Sequence, residues 1–77
     1  MDTLENEIKL DVRGMACPAP MRALRRVLRE SPQTMVIDLV GDDPHLELDV
    51  AAYCARSAHH LLSVARAGST IHLRIHR

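Results

Sequence analysis

The 77-residue chain has no tryptophan and no phenylalanine, and Tyr53 is its single tyrosine. It offers no surface on which successive bases stack, which excludes a single-strand nucleic-acid reader of the usual aromatic kind. Net charge is missing too: ten Lys and Arg balance ten Asp and Glu, so no bulk attraction to nucleic acid exists and a partner has to be selected by local features. No apolar run approaches the ~20 residues that cross a bilayer. The opening Met1-Asp2-Thr3-Leu4-Glu5-Asn6-Glu7 is acidic and lacks an apolar stretch. It reads as a flexible tail over residues 1–6, not as a secretory signal or an anchor. The expectation is a cytoplasmic protein with no membrane and no direct nucleic-acid partner. Two cysteines, Cys17 and Cys54, are too few for a secreted disulfide scaffold, and in a reducing compartment they read as reactive or buried thiols.

An apolar content of 47% describes a folded chain, and the length allows one domain, placed at residues 7–77. Ile8, Leu10 and Val12 alternate with charged residues, which predicts a strand over 7–13 ended by Gly14. From Pro18 the period changes to that of a helix over about 18–30. Met21, Leu24 and Leu28 lie on one side of it, and Arg22, Arg25, Arg26 and Arg29 on the other. Ser31-Pro32-Gln33 breaks it. Met35, Ile37 and Leu39 predict a second strand over 35–40, stopped at Gly41-Asp42-Asp43-Pro44. Asp43 as N-cap and Pro44 in the first turn open a second helix over about 44–58. Its inner side carries Leu46, Val50, Tyr53, Cys54 and Ser57. Strands over 61–67 and 70–77 follow, joined at Ala67-Gly68-Ser69. The order βαβαββ predicts an α/β two-layer sandwich in which two helices cover one face of a four-stranded mixed sheet. The first two strands pair in parallel and the last two form a hairpin.

The stretch Met15-Ala16-Cys17-Pro18-Ala19-Pro20, between a strand and a helix, carries the candidate chemistry. Cys17 reads as the N-cap, where free amides and the positive end of the helix dipole favour thiolate. Pro18 and Pro20 stiffen the first turn. The chain has no Cys-x-x-Cys, so whatever Cys17 attacks belongs to another molecule. Cys54, on the inward side of its helix, reads as core.

Leu10-Asp11-Val12-Arg13-Gly14, two residues, then Cys17-Pro18-Ala19-Pro20, an amphipathic helix and a later Asp42-Asp43-Pro44 resemble the TusA/SirA/YedF family of small sulfur-carrier proteins from about Ile8 to Arg77. The resemblance implies that Cys17 accepts a sulfane sulfur as a persulfide and hands it on. It implies a cysteine desulfurase or rhodanese-like donor and a DsrE-like acceptor, in tRNA thiolation, molybdenum-cofactor biosynthesis or dissimilatory sulfur metabolism. No cofactor is implied. Gly14, Pro18, Pro20, Asp43 and Pro44 belong to the shared pattern as structural residues at the site, and Asp49 and Cys54 occupy positions familiar from the TusA branch. Ala16 stands where many relatives carry Lys or Arg, which shifts thiolate activation onto the helix end and Arg13. His59 before His60 replaces the Gly–His that often ends the second helix, and Leu48 stands where some tRNA-thiolation members are basic.

Charge is segregated along the chain: five arginines and no acid from Arg13 to Arg29, then six acids and no Lys or Arg from Glu30 to Asp49. Arg13, Arg22, Arg25 and Arg26 are therefore the candidate partner-binding residues, facing an acidic rim on a donor or acceptor; a plain solvated helix face is the alternative. His59-His60, His72 and His76 lack the short-spaced ligand pairs of a zinc site, so no metal is expected. Two rival readings remain open at this stage. One is a non-catalytic interaction or regulatory module with Cys17 incidental; the other is a redox partner that forms a mixed disulfide through Cys17.

Overall fold

In a computed structural model the described residues run from 7 to 77, and the tail expected over 1–6 lies outside them. Strand β1 (Glu7–Asp11), helix α1 (Ala19–Glu30), β2 (Val36–Gly41), α2 (Leu46–Ser57), β3 (His60–Ala67) and β4 (Thr70–His76) follow in the expected order. Some boundaries differ from expectation for local reasons. β1 ends two residues early because the Asp11 carboxylate turns back onto the Arg13 N–H at 3.0 Å and opens a turn. α2 begins at residue 46, not 44, since the Leu46 N–H closes a turn on the Asp43 carbonyl at 3.0 Å. It ends at Ser57 because Ala58 is left-handed at φ 62 and its N–H returns to the Cys54 carbonyl. α1, β3 and β4 differ from expectation by one residue at one end, and β2 by one residue at each end, within the ordinary fraying of element ends.

The sheet order is β1-β2-β4-β3. β1 and β2 are parallel with Ile8 opposite Ile37 and Leu10 opposite Leu39. β4 runs antiparallel to β2, with Ile75 opposite Ile37 and Leu73 opposite Leu39. β3 completes the hairpin on β4, with a register shift between Leu61 and Ser63. The period-two positions of β2 and β4 thus converge on one face. There they form a single core with Leu24 and Leu28 of α1, Leu46, Val50 and Cys54 of α2, and Val12. Leu24 is wholly buried, a transfer that contributes about 1.5–3 kcal/mol. Met35, expected as the first residue of the second strand, precedes β2 and is 42% exposed. On the uncovered face Arg74 bridges Glu7 at 3.0 Å and Asp38 at 2.6 Å, linking β4, β1 and β2.

Gly41, the last residue of β2, lies against the side chains of Leu46 and Val12. A Cβ there would lie 2.5 Å from Leu46 Cδ2 and 3.0 Å from Val12 Cγ2. Both contacts are with side-chain methyl groups of the core, so a side chain at Gly41 would force Leu46 and Val12 to repack.

Candidate functional site

Because β1 and β2 are parallel, the loops leaving their carboxyl ends emerge side by side, the place where open sheets that contain parallel strands collect functional groups. The first loop runs from Val12 to Pro18. Its Val12 N–H still donates to the Val40 carbonyl at 2.8 Å, and Met15 N–H closes a turn on the Val12 carbonyl at 3.2 Å. Gly14 takes the left-handed region at φ 83, which a residue with a Cβ enters only at a cost.

The second loop holds the first. The Asp42 carboxylate accepts the Gly14 N–H at 3.0 Å, and Asp43 Oδ2 accepts the Cys17 N–H at 2.9 Å. Asp43 Oδ1 accepts the His45 N–H at 3.2 Å, with the His45 ring 3.4 Å away. Together these donors hold the Asp43 carboxyl below its ordinary value, the His45 amide contributing most. Asp43 was expected as the N-cap of α2. The N-cap position is His45; Asp43 initiates the preceding turn and reaches across to the cysteine loop. Pro44 sits exposed within that turn.

Cys17 is exposed. It does not cap α1 as expected: the N-cap is Pro18, with no side-chain capping bond, and the Cys17–Pro18 peptide is cis. Pro20 lies in the first turn and is buried. The loop amides are also less available to the sulfur than expected. Those of Gly14, Met15, Cys17 and Ala19 already donate to protein oxygens, and Pro18 has none. The thiol pKa is raised, first by partial desolvation, then by interaction with the Asp49 carboxylate and the charge of Asp43. The shift runs against the expected thiolate: desolvation and then the Asp49 and Asp43 carboxylates favour the thiol. Arg13, expected to assist, turns its guanidinium to Asp11 at 2.7 Å; this holds the Asp11 carboxyl at about 2.

A groove of about 500 Å³ opens between α1 and α2, with Cys17, Met21, Arg25, Asp49, Ala52, Tyr53, Arg56 and Ser57 along it. Met21, Ala52 and Tyr53 supply apolar surface to it, and Arg25, Asp49 and Arg56 are its charged residues. Arg25 thus joins the cysteine, while Arg22, Arg25, Arg26 and Arg29 also form a continuous exposed patch along α1. Arg26 pairs with Glu30 at 3.2 Å, and the other three have no carboxylate partner among the described residues. Cys54 is 3% exposed, its thiol pKa raised by burial, and stands in the core as expected.

Asp42 and Arg56 were missed as site residues. Asp42 is signalled by the chain order itself, since two parallel strands separated by one helix bring residues 14 and 42 together. Arg56 is signalled by its place two turns beyond Asp49 on α2. The left-handed C-cap also falls on Ala58, one residue before the histidine pair; the His59 ring Nδ1 lies 2.8 Å from the Ser57 carbonyl. Among the described residues no group of three or more His, Cys, Asp or Glu is placed to hold a metal ion, and no helix is long and apolar enough to cross a membrane.

Comparison with known proteins bears on this arrangement. The Sulfur carrier protein TusA of Buchnera aphidicola subsp. Baizongia pistaciae (strain Bp) is 32% identical over 62 residues, which cover 80% of this chain and 77% of that protein. A family model described as Sulfurtransferase TusA matches residues 8–77, a span that takes in both clamped loops, the groove and all four strands. The chain with its cysteine loop tied down by Asp42 and Asp43 belongs to the sulfurtransferase TusA family.

Proposed function

We propose that the protein is a cytoplasmic sulfur carrier that accepts sulfane sulfur as a persulfide on Cys17 and passes it to an acceptor protein. The observation that carries this reading is an exposed cysteine on a loop clamped at two amides, at the edge of a groove, in a chain of this family. The Cys17 thiol loses its proton to solvent and the thiolate attacks the outer sulfur of a donor persulfide. The donor S–S bond breaks, and the donor sulfur leaves with the electron pair and takes up a proton. The sum, Cys17–SH plus R–S–SH giving Cys17–S–SH plus R–SH, involves no net oxidation and follows the substitution logic of thiol–disulfide exchange. The second transfer repeats the step with the acceptor thiolate attacking the outer sulfur on Cys17.

The partners fit as proteins, not small molecules. Arg22, Arg25 and Arg26 are exposed on the helix that starts beside Cys17, a surface that speeds encounter with an acidic rim. A cysteine desulfurase or rhodanese-like donor and a DsrE-like acceptor suit it, in tRNA thiolation, molybdenum-cofactor biosynthesis or dissimilatory sulfur metabolism. Gly14, Pro18, Pro20, Asp43 and Pro44 shape the loop and its support.

One observation favours a second reading. The raised Cys17 pKa suits an interaction module in which that cysteine is incidental. Intact-mass spectrometry after incubation with a persulfide donor separates the two. The carrier gains sulfur in the wild type and in Cys54→Ser, and none in Cys17→Ser. No gain in the wild type, or gain that survives Cys17→Ser, overturns the carrier reading.

A further inference from the structure

Three carboxylates approach the cysteine loop, and they are not equivalent. Asp42 accepts the Gly14 amide, and Asp43 accepts the amides of Cys17 and His45. Asp49, in the first turn of α2, forms no ion pair and accepts no loop-amide hydrogen bond among the described residues; its carboxylate lines the same groove as Cys17 and interacts with that thiol. Its own N–H is committed to the His45 carbonyl at 3.0 Å, which fixes its backbone relative to the Asp43 turn. The arginines of that groove, Arg25 and Arg56, are likewise without a carboxylate partner among the described residues, and Arg13 faces Asp11 instead.

The geometry points to Asp49 as the residue that holds the Cys17 proton, keeping the unloaded carrier in its thiol form until something neutralises that carboxylate. This inference rests on the carrier reading for its biological sense but concerns the free thiol. A negative charge beside a thiol disfavours the thiolate, and the raised Cys17 pKa has Asp49 among its causes. The charged groups that act on the thiol are Asp49 from α2 and Asp43, with its bonded His45, from the second loop; Arg56 of α2 and Arg25 of α1 line the same groove. Asp43 is fixed by its amides. Asp49 is the carboxylate that a cationic group of a docked donor can reach through the groove, and such contact releases the thiolate where the donor sulfur waits. An empty carrier held as the thiol also exchanges slowly with stray disulfides, because the thiolate is the attacking species. Asp49 is in this sense a positioning residue acting through Cys17.

The test is the pH dependence of Cys17 alkylation by iodoacetamide on the full chain, with the modified residue identified by peptide mass spectrometry. Asp49→Asn is expected to move the alkylation midpoint to lower pH and to raise the rate at neutral pH about three- to tenfold. Asp49→Glu keeps the charge and is expected to restore most of the wild-type profile. Asp49→Ser repeats the neutral substitution with a smaller side chain, and thermal unfolding verifies that each variant is folded. A midpoint that stays put or rises in folded Asp49→Asn or Asp49→Ser overturns the inference. The mass assay for sulfur uptake fails or succeeds independently of this profile, so loss of the carrier reading and loss of the Asp49 role are distinguishable.

Discussion

One oxygen of the Asp43 carboxylate accepts the His45 N–H that leads into α2, and the other accepts the Cys17 N–H that fixes the reactive loop. Protonation therefore affects both segments at once. The carboxyl is held below its ordinary value of 3.8, first by the His45 amide. Its contribution to stability is complete above the unfolded value and is lost as pH falls through the lower folded value. Urea unfolding between neutral pH and about pH 2.5 is expected to show wild-type stability falling in that acid window. Asp43→Asn, which keeps one acceptor oxygen but no charge, starts less stable at neutral pH and has a flatter pH profile. Parallel profiles for the two proteins would show that the carboxylate has no such role. Neighbouring Asp42 bonds an exposed amide, where solvent competes for both groups, and its loss is expected to matter less to folding than to loop position.

At the scale of elements, α1 separates two tasks by face. Leu24 and Leu28 enter the core, and Arg22, Arg25, Arg26 and Arg29 form the exposed patch. Reversing Arg22 and Arg26 to Glu leaves the buried side untouched. It replaces the Arg26–Glu30 pair with a like-charge i,i+4 pair, at a cost of about 0.2–0.5 kcal/mol. Transfer of sulfur from an acidic-rimmed donor is expected to slow about tenfold or more at low salt and to lose its salt dependence. An unchanged rate with unchanged salt response would remove α1 as the docking surface. The period-3.6 pattern of α1 and the period-two patterns of β2 and β4 are local properties, which is why the two-layer fold and nearly all of its core were legible in the sequence. Met35 defeated the period because it precedes the strand whose alternation it seemed to begin. The site was only half legible. Gly14 and Cys17 follow from local motif, but the clamps on their amides join residues 28 and 26 positions apart. No local pattern reports that Asp43 divides its oxygens between two loops, or that Asp49 faces a thiol from another helix.

At the scale of the molecule, reactivity and anchorage lie at opposite ends of α1. Its amino end carries the Cys17 loop. Its carboxyl end is held by Arg77, whose Nε donates to the Thr34 carbonyl at 2.7 Å and whose Nη2 donates to the carbonyls of Leu28 at 3.0 Å and Ser31 at 2.8 Å. The Arg77 N–H donates to the Met35 carbonyl at 2.8 Å, so the residue after β4 ties the last turn of α1 and the start of β2 to the centre of the sheet. A cation at a helix carboxyl end is favoured by the dipole, and the planar guanidinium reaches three carbonyls that an ammonium group cannot span together. Arg77→Ala is expected to lower stability by about 1–3 kcal/mol in urea unfolding, and Arg77→Lys to recover only part of that loss. The twelve residues of α1 span about 18 Å, and the alkylation profile of Cys17 is expected to stay at its wild-type position in both variants. A shift of that profile with Arg77→Ala would mean that the two ends of α1 move as one unit, and an unchanged unfolding midpoint would show that the three carbonyl contacts do not anchor the helix.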